Sequence, residues 1–122
     1  LRENFLDRKF IYPLTRKHRI WFILVTVAVA VGEEVVFRSF FVYYLAEWFG
    51  DLSFWWIVLL VNIVFGFVHF QQGLSGVLNG FLFGMVMSFL WYGSGSLLIP
   101  IIVHLFFDWK LIWMSRRFEQ HT

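Results

Sequence analysis

Four long apolar segments divide this chain, and they constrain its fold more than any other feature of the sequence. They cover residues 20–49, 52–70, 74–92 and 97–114. A helix needs about 20 apolar residues to cross a hydrocarbon core of roughly 30 Å, and each segment is close to that length or longer. The sequence therefore predicts an all-α membrane protein, a polytopic bundle of about four transmembrane helices.

The composition agrees with a chain that is solvated by lipid. Hydrophobic residues make up 60% of the 122 residues and charged residues only 15%, which does not suit a soluble globular domain of this size. The chain has no cysteine, so disulfides, thiolate catalysis and cysteine-based metal sites are excluded. The breaks between the apolar segments, at 50–51, 71–73 and 93–96, consist of glycine and polar residues that turn a chain.

Basic residues are concentrated at the two ends of the chain, and none lies in a predicted loop. The positive-inside rule then predicts a multi-pass protein of the cell membrane with both termini in the cytoplasm. We divide the chain into a basic juxtamembrane segment (1–19), a transmembrane core (20–114) and a basic tail (115–122). The small net charge of +2 suits anionic lipid headgroups as partners, and nucleic acid is not expected.

Six ionisable residues interrupt the apolar segments, apart from Glu47 beside the first predicted loop and Lys110 of the basic C-terminal flank. An ionisable group in the hydrocarbon costs on the order of 3 kcal/mol even on lenient scales, so such groups usually face a protein interior and mark function. The six residues lie on three of the four predicted helices, and they are Glu33, Glu34, Arg38, His69, His104 and Asp108.

The spacing of these six residues predicts which of their side chains share a helix face. Residues four apart share a helix face, so Glu34 and Arg38 are predicted to form an ion pair. Glu33 points about 100° away and is free to face another helix. His104 and Asp108 are also four apart and present an imidazole beside a carboxyl group. A bundle that gathers these last two residues with Glu33 and His69 would enclose one polar cavity.

That cavity would hold the groups needed to hydrolyse a peptide bond, which requires a base for water, donors for the oxyanion and an acid for the leaving amine. Glu33 can act as the base, and His69 can hold the same water. His104 can donate to the oxyanion. Asp108 can donate only if it is protonated, and otherwise it orients His104.

Three motifs in the sequence resemble those of one family. Residues 33–38 fit E-E-x-x-x-R, residues 65–69 fit F-x-x-x-H, and residues 104–108 fit H-x-x-x-N/D. In this order on successive apolar segments they resemble the CPBP family, also called the Abi or CAAX-protease family, which includes the CAAX prenyl endopeptidase. The resemblance covers roughly residues 30–112, and it identifies the core as a CPBP/Abi-type catalytic core.

The resemblance implies an intramembrane endopeptidase that acts on a membrane-associated peptide or a prenylated protein. It implies that Glu33 activates water with His69, that Glu34 and Arg38 support the site, and that His104 and Asp108 form the oxyanion hole. The prenyl-protein peptidases have asparagine where this chain has Asp108. Family members usually have more than four spans, and this chain starts at Leu1 rather than methionine, so additional spans could precede it.

Zinc is the open question among cofactors. Glu33, His69 and His104 form a His/His/Glu set that is able to bind zinc. The chain has no H-E-x-x-H helix, and the three residues are spread over three segments. We therefore favour catalysis by glutamate without a metal, and no other cofactor is expected.

Other interpretations of the polar residues stay open. The chain can be a catalytically silent family member that serves as a scaffold, immunity or assembly subunit beside other membrane proteins. The carboxylates and histidines can also form a proton or cation path. Taken alone, His69 is an ordinary core histidine and Phe65 a packing residue, while Asn62 and Asn79 suit hydrogen bonds between helices. Gly76, Gly80 and Gly84 predict close helix packing.

Overall fold

The part of the chain that the structure describes is helical. The computed structural model describes residues 15–119, without the side chains of 111, 112 and 115–119. Within these residues there is no β-strand, so the predicted all-α fold is confirmed. The elements are α1 (Arg16–Glu34), a π-helical segment (Val35–Phe40), α2 (Phe41–Trp48), α3 (Phe54–Val68), a 3₁₀ turn (Phe70–Gln72), α4 (Gly73–Ser94) and α5 (Leu98–Glu119).

The helices end at the predicted glycine and polar breaks. Gly95 follows the last residue of α4 and caps it, and its φ of 67° lies in the left-handed region that glycine adopts without strain. The Gly95 N–H donates to the Trp91 carbonyl at 3.0 Å and closes the last turn. Pro100 is the third residue of α5, where its missing N–H removes no hydrogen bond within the helix.

Two helices among the described residues are long and apolar enough to cross a membrane. The first is the continuous helix Arg16–Trp48, which joins α1, the π-helical segment and α2, and the second is Phe70–Ser94. α3 has 15 residues and spans about 22 Å, which is less than the hydrocarbon thickness. The predicted segment 52–70 is therefore α-helical only over its central part. Most of the predicted juxtamembrane segment, residues 1–14, lies outside the described residues, as do residues 120–122 of the tail.

Large apolar side chains stay exposed along every helix. Their exposure reaches 71% at Tyr43 and 75% at Leu74. Apolar surface of this extent is uncommon on a monomer in water and is expected on helices that face lipid. Further examples are Trp21, Phe67, Phe89 and Phe106.

The chain divides into two compact units. One is Val31–Val103, and the other combines the described residues of Leu1–Ala30 and His104–Thr122. In the Val31–Val103 unit the apolar core joins the π-helical segment and α2 to α3. Its buried members are Phe37, Val42, Ile57, Val61 and Phe65.

Glycines bring α3 and α4 into close contact. A Cβ atom at Gly66 would lie 2.8 Å from the Val77 carbonyl oxygen, and one at Gly84 would collide with Asn62 Oδ1. The close packing predicted from the glycines of α4 is thus confirmed. Asn62 is buried on α3 and donates to Ser88 Oγ on α4 at 2.9 Å, as predicted for a hydrogen bond between helices. Asn79 differs from this prediction because its side chain is exposed.

Candidate functional site

The predicted ion pair between Glu34 and Arg38 is present and fully buried. Arg38 Nε lies 3.3 Å from Glu34 Oε2, and both side chains are 0% exposed. Arg38 Nη2 also donates to the Gly84 carbonyl at 2.9 Å, which links the first motif to α4. The guanidinium carbon lies 4.9 Å from the centre of the Phe65 ring, within cation–π range. Arg38 therefore connects three helical elements.

A π-helical segment begins directly after the two glutamates and contains Arg38. The N–H of Phe41 donates to the Val36 carbonyl, five residues earlier, as π-helical geometry requires. Single π-helical turns in long helices occur often at functional sites. This wider turn overlaps the E-E-x-x-x-R motif. Arg38 lies within it and contacts Phe65 on α3 and Gly84 on α4.

The two adjacent glutamates occupy different environments. Glu34 is fully buried against Arg38, whereas Glu33 is only partly buried. Arg38 interacts electrostatically with both carboxylates, and the interaction with Glu34 is the larger. Glu34 is thus held in the ion pair, whereas Glu33 keeps part of its surface exposed.

His69 is fixed by three hydrogen bonds at the end of α3. Its backbone N–H donates to the Gly66 carbonyl, and its own carbonyl accepts from the N–H of Gln72, both at 3.0 Å. Its Nδ1 lies 2.9 Å from the Phe65 carbonyl oxygen. Because a carbonyl only accepts, Nδ1 carries the hydrogen, and Nε2 of the neutral ring carries the lone pair. The contact with the Phe65 carbonyl thus distinguishes the two ring nitrogens of His69.

A pair of aromatic rings sets the register between the first two motifs. Phe37 and Phe65 meet edge to face with ring centres 5.0 Å apart. Glu33 precedes Phe37 by four residues, and His69 follows Phe65 by four. The imidazole of His69 lies 5.0 Å from the Phe65 ring, on the same side of α3. In antiparallel helices, Glu33 and His69 are therefore each one turn beyond the aromatic pair, in the same direction.

His104 and Asp108 form the predicted side-by-side pair on α5. His104 Nε2 lies 3.5 Å from Asp108 Oδ2. His104 is buried, whereas the Asp108 side chain is 26% exposed. In the same unit, Trp109 Nε1 donates to Thr26 Oγ1 at 2.9 Å and ties α5 to α1. The residue after Asp108 thus anchors this turn of α5.

A family model described as type II CAAX prenyl endopeptidase Rce1-like matches residues 15–110. The chain belongs to the Rce1-like family. The match covers all three motifs, and it confirms the resemblance to the CAAX-protease family seen in the sequence. Neither the curated proteins nor the solved structures gave a match. The Rce1-like family comprises membrane-embedded CAAX-type endopeptidases, and the described part of this chain has two helices long and apolar enough to span a membrane.

Within neither unit do three His, Cys, Asp or Glu side chains among the described residues lie close enough together to hold a metal ion. The mechanism proposed below contains no metal step, and the chelator experiment tests the zinc alternative.

Several residues of the Rce1-like site have roles that the sequence does not predict. The sequence indicates only packing for Phe65, yet its ring contacts Arg38 and its carbonyl holds His69. Gly84 is predicted to serve helix packing alone, yet its carbonyl accepts from Arg38. Ser88, which accepts from Asn62, belongs to none of the three motifs. It lies four residues after Gly84 and so continues the small-residue spacing of α4 by one turn. That spacing could have identified it as a contact between helices.

Proposed function

We propose that this Rce1-like protein is an intramembrane endopeptidase that hydrolyses a peptide bond of a membrane-associated peptide or prenylated protein. The observation that supports it most is the Phe37–Phe65 contact, which sets the register of the first two motifs. With that register, Glu33 and His69 are expected to face the same water molecule. Family membership supports the type of reaction.

In this mechanism Glu33 is the general base. Its carboxylate takes a proton from water while the water oxygen adds to the peptide carbonyl carbon. His69 Nε2 accepts the water's second hydrogen bond and so orients its lone pair towards the carbonyl. When the tetrahedral intermediate collapses, protonated Glu33 returns the proton to the leaving amine, and one water molecule has been added across the bond.

We assign the oxyanion donor to His104, with Asp108 as its positioning residue. The distance of 3.5 Å between His104 Nε2 and Asp108 Oδ2 supports this assignment because the carboxylate can orient the ring through Nε2–H. The donor to the oxyanion is then Nδ1–H, so the step requires the ring with hydrogen on both nitrogens. Glu34 and Arg38 support the site through their buried ion pair, which holds the helix that carries Glu33.

Replacing His69 by alanine is the experiment that tests the proposed function. Purified protein is incubated with a prenylated CAAX peptide and with a library of membrane-associated peptides, and products are measured by mass spectrometry. We expect His69→Ala to lower kcat/KM by about 10²-fold or more, since it removes the group that orients the water. His18→Ala is the matched control because His18 is exposed at the start of α1.

Two results would contradict the proposal. One is cleavage by His69→Ala as fast as by wild type. The other is the absence of product from folded wild-type protein, which would favour a silent scaffold or assembly subunit. A strong chelator in the same assay tests the metal-independent mechanism, because loss of cleavage would require a metal step.

Replacing Asp108 by asparagine tests the role of the third motif. Asparagine can still accept from His104, and its amide can also donate to the oxyanion, so we expect Asp108→Asn to cleave at least as fast as wild type. Asp108→Ala leaves His104 without that partner, and we expect a loss of about 10²-fold, as for an oxyanion donor. Equal loss in both variants would show that the negative charge itself is required.

We further propose that all four helical segments lie in the membrane, with both termini in the cytoplasm and lipid as the surrounding partner. The absence of native cysteine permits a direct test with single-cysteine variants. An impermeant maleimide added to intact cells is expected to label Asp51→Cys and Ser94→Cys. It should label Gln71→Cys only after permeabilisation. The opposite pattern would reverse the orientation.

A further inference from the structure

The backbone of α4 touches the imidazole of His69 at Gly80. A Cβ atom at Gly80 would lie 3.0 Å from His69 Nδ1 and 3.3 Å from His69 Cγ. It would also lie 3.3 Å from Gly66 Cα. Because these separations are shorter than ordinary van der Waals contacts, any side chain at position 80 forces the ring or the helix pair to move.

We propose that Gly80 is a positioning residue that fixes the rotamer and the tautomer of His69. The bare backbone of α4 closes one side of the ring while the Phe65 carbonyl holds Nδ1–H at 2.9 Å. Together they leave Nε2 as the nitrogen that faces the reaction. This inference rests on the proposed function, in which Nε2 orients the attacking water.

Neighbouring glycines of α4 separate this role from helix packing in general. Gly84 faces Asn62 and the edge of the Phe65 ring rather than the His69 ring, and a Cβ atom there would collide with Asn62 Oδ1 and lie 3.0 Å from Phe65 Cδ1. A Cβ atom at Gly93 would meet no described atom within 4 Å beyond the adjoining backbone of its own helix, so alanine fits there freely. Gly84→Ala is therefore the control for packing strain, and Gly93→Ala is the control for an added methyl group.

The test combines the NMR signals of the imidazole with cleavage kinetics. Protein with ¹⁵N-labelled histidine is studied in detergent, and His69 is assigned by the signal missing from His69→Ala. In the wild type we expect the His69 ring to carry its hydrogen on Nδ1. Gly80→Ala is expected to change the His69 nitrogen shifts and to lower kcat by up to roughly 10²-fold. Gly84→Ala should lower thermal stability and change these shifts less than Gly80→Ala does, and Gly93→Ala should change neither the stability nor the shifts.

The outcomes distinguish this inference from the function on which it rests. Unchanged His69 shifts in folded Gly80→Ala would overturn the positioning role, whatever happens to cleavage. Changed shifts with unchanged cleavage would instead remove His69 from the mechanism and leave the positioning role intact. If Gly80→Ala does not fold, the wild-type protein provides the test. The contact predicts a nuclear Overhauser effect between a Gly80 α-hydrogen and the His69 ring. Its absence would overturn the inference.

Discussion

Glu33→Gln is expected to abolish peptide hydrolysis while the protein remains folded. The amide has nearly the volume of the carboxyl group, but it cannot take a proton from water. General-base catalysis contributes about 10² to 10⁴-fold, and we expect a loss towards the upper limit because no other carboxylate of the first motif is available. Glu34 is the nearest alternative, and it is fully buried in its ion pair with Arg38.

The measurement is kcat/KM with a prenylated or membrane-associated peptide that the wild type cleaves. Glu47→Gln is the matched control, since Glu47 lies on the same continuous helix, is exposed, and loses the same charge. Equal melting temperatures of the two variants would show that Glu33→Gln is folded. Cleavage by Glu33→Gln at the rate of the Glu47→Gln control would remove Glu33 from the role of base.

The sequence is sufficient to predict the helices and the pairs within them. Apolar length and glycine breaks locate each helix, because a membrane leaves few alternatives for a long apolar segment. A spacing of four residues predicts the pair of Glu34 with Arg38 and that of His104 with Asp108, since this spacing defines one helix face. These predictions depend on local geometry, which the sequence order determines directly.

Features that depend on how helices meet could not be predicted in the same way. The π-helical turn after Glu34 has no signal in the residues, because it adds one residue to a turn without changing the composition. The register between Phe37 and Phe65 follows from side-chain packing, which apolar periodicity leaves undetermined. Arg38 donates to a backbone carbonyl of α4. Because every residue of α4 has such a carbonyl, the sequence does not indicate that Gly84 is the acceptor.

Arg38→Met is expected to have the largest effect on stability. Methionine keeps much of the volume of the buried side chain but leaves the Glu34 carboxylate without its positive partner at 0% exposure. Removing one member of a buried ion pair typically costs about 3–5 kcal/mol in the free energy of unfolding. The variant also loses the hydrogen bond to the Gly84 carbonyl and the contact with the Phe65 ring.

Unfolding by SDS in mixed micelles measures this cost, with Lys17→Met as the control because Lys17 is exposed on α1. The double variant Glu34→Gln with Arg38→Met separates the unpaired charge from the lost contacts. It removes the buried carboxylate as well, so we expect it to be more stable than Arg38→Met alone. If the double variant is no more stable than Arg38→Met, the contacts with Gly84 and Phe65 carry the stabilisation. In that case Arg38 acts mainly as the connection between the π-helical segment, α3 and α4, and the Glu34 charge contributes little.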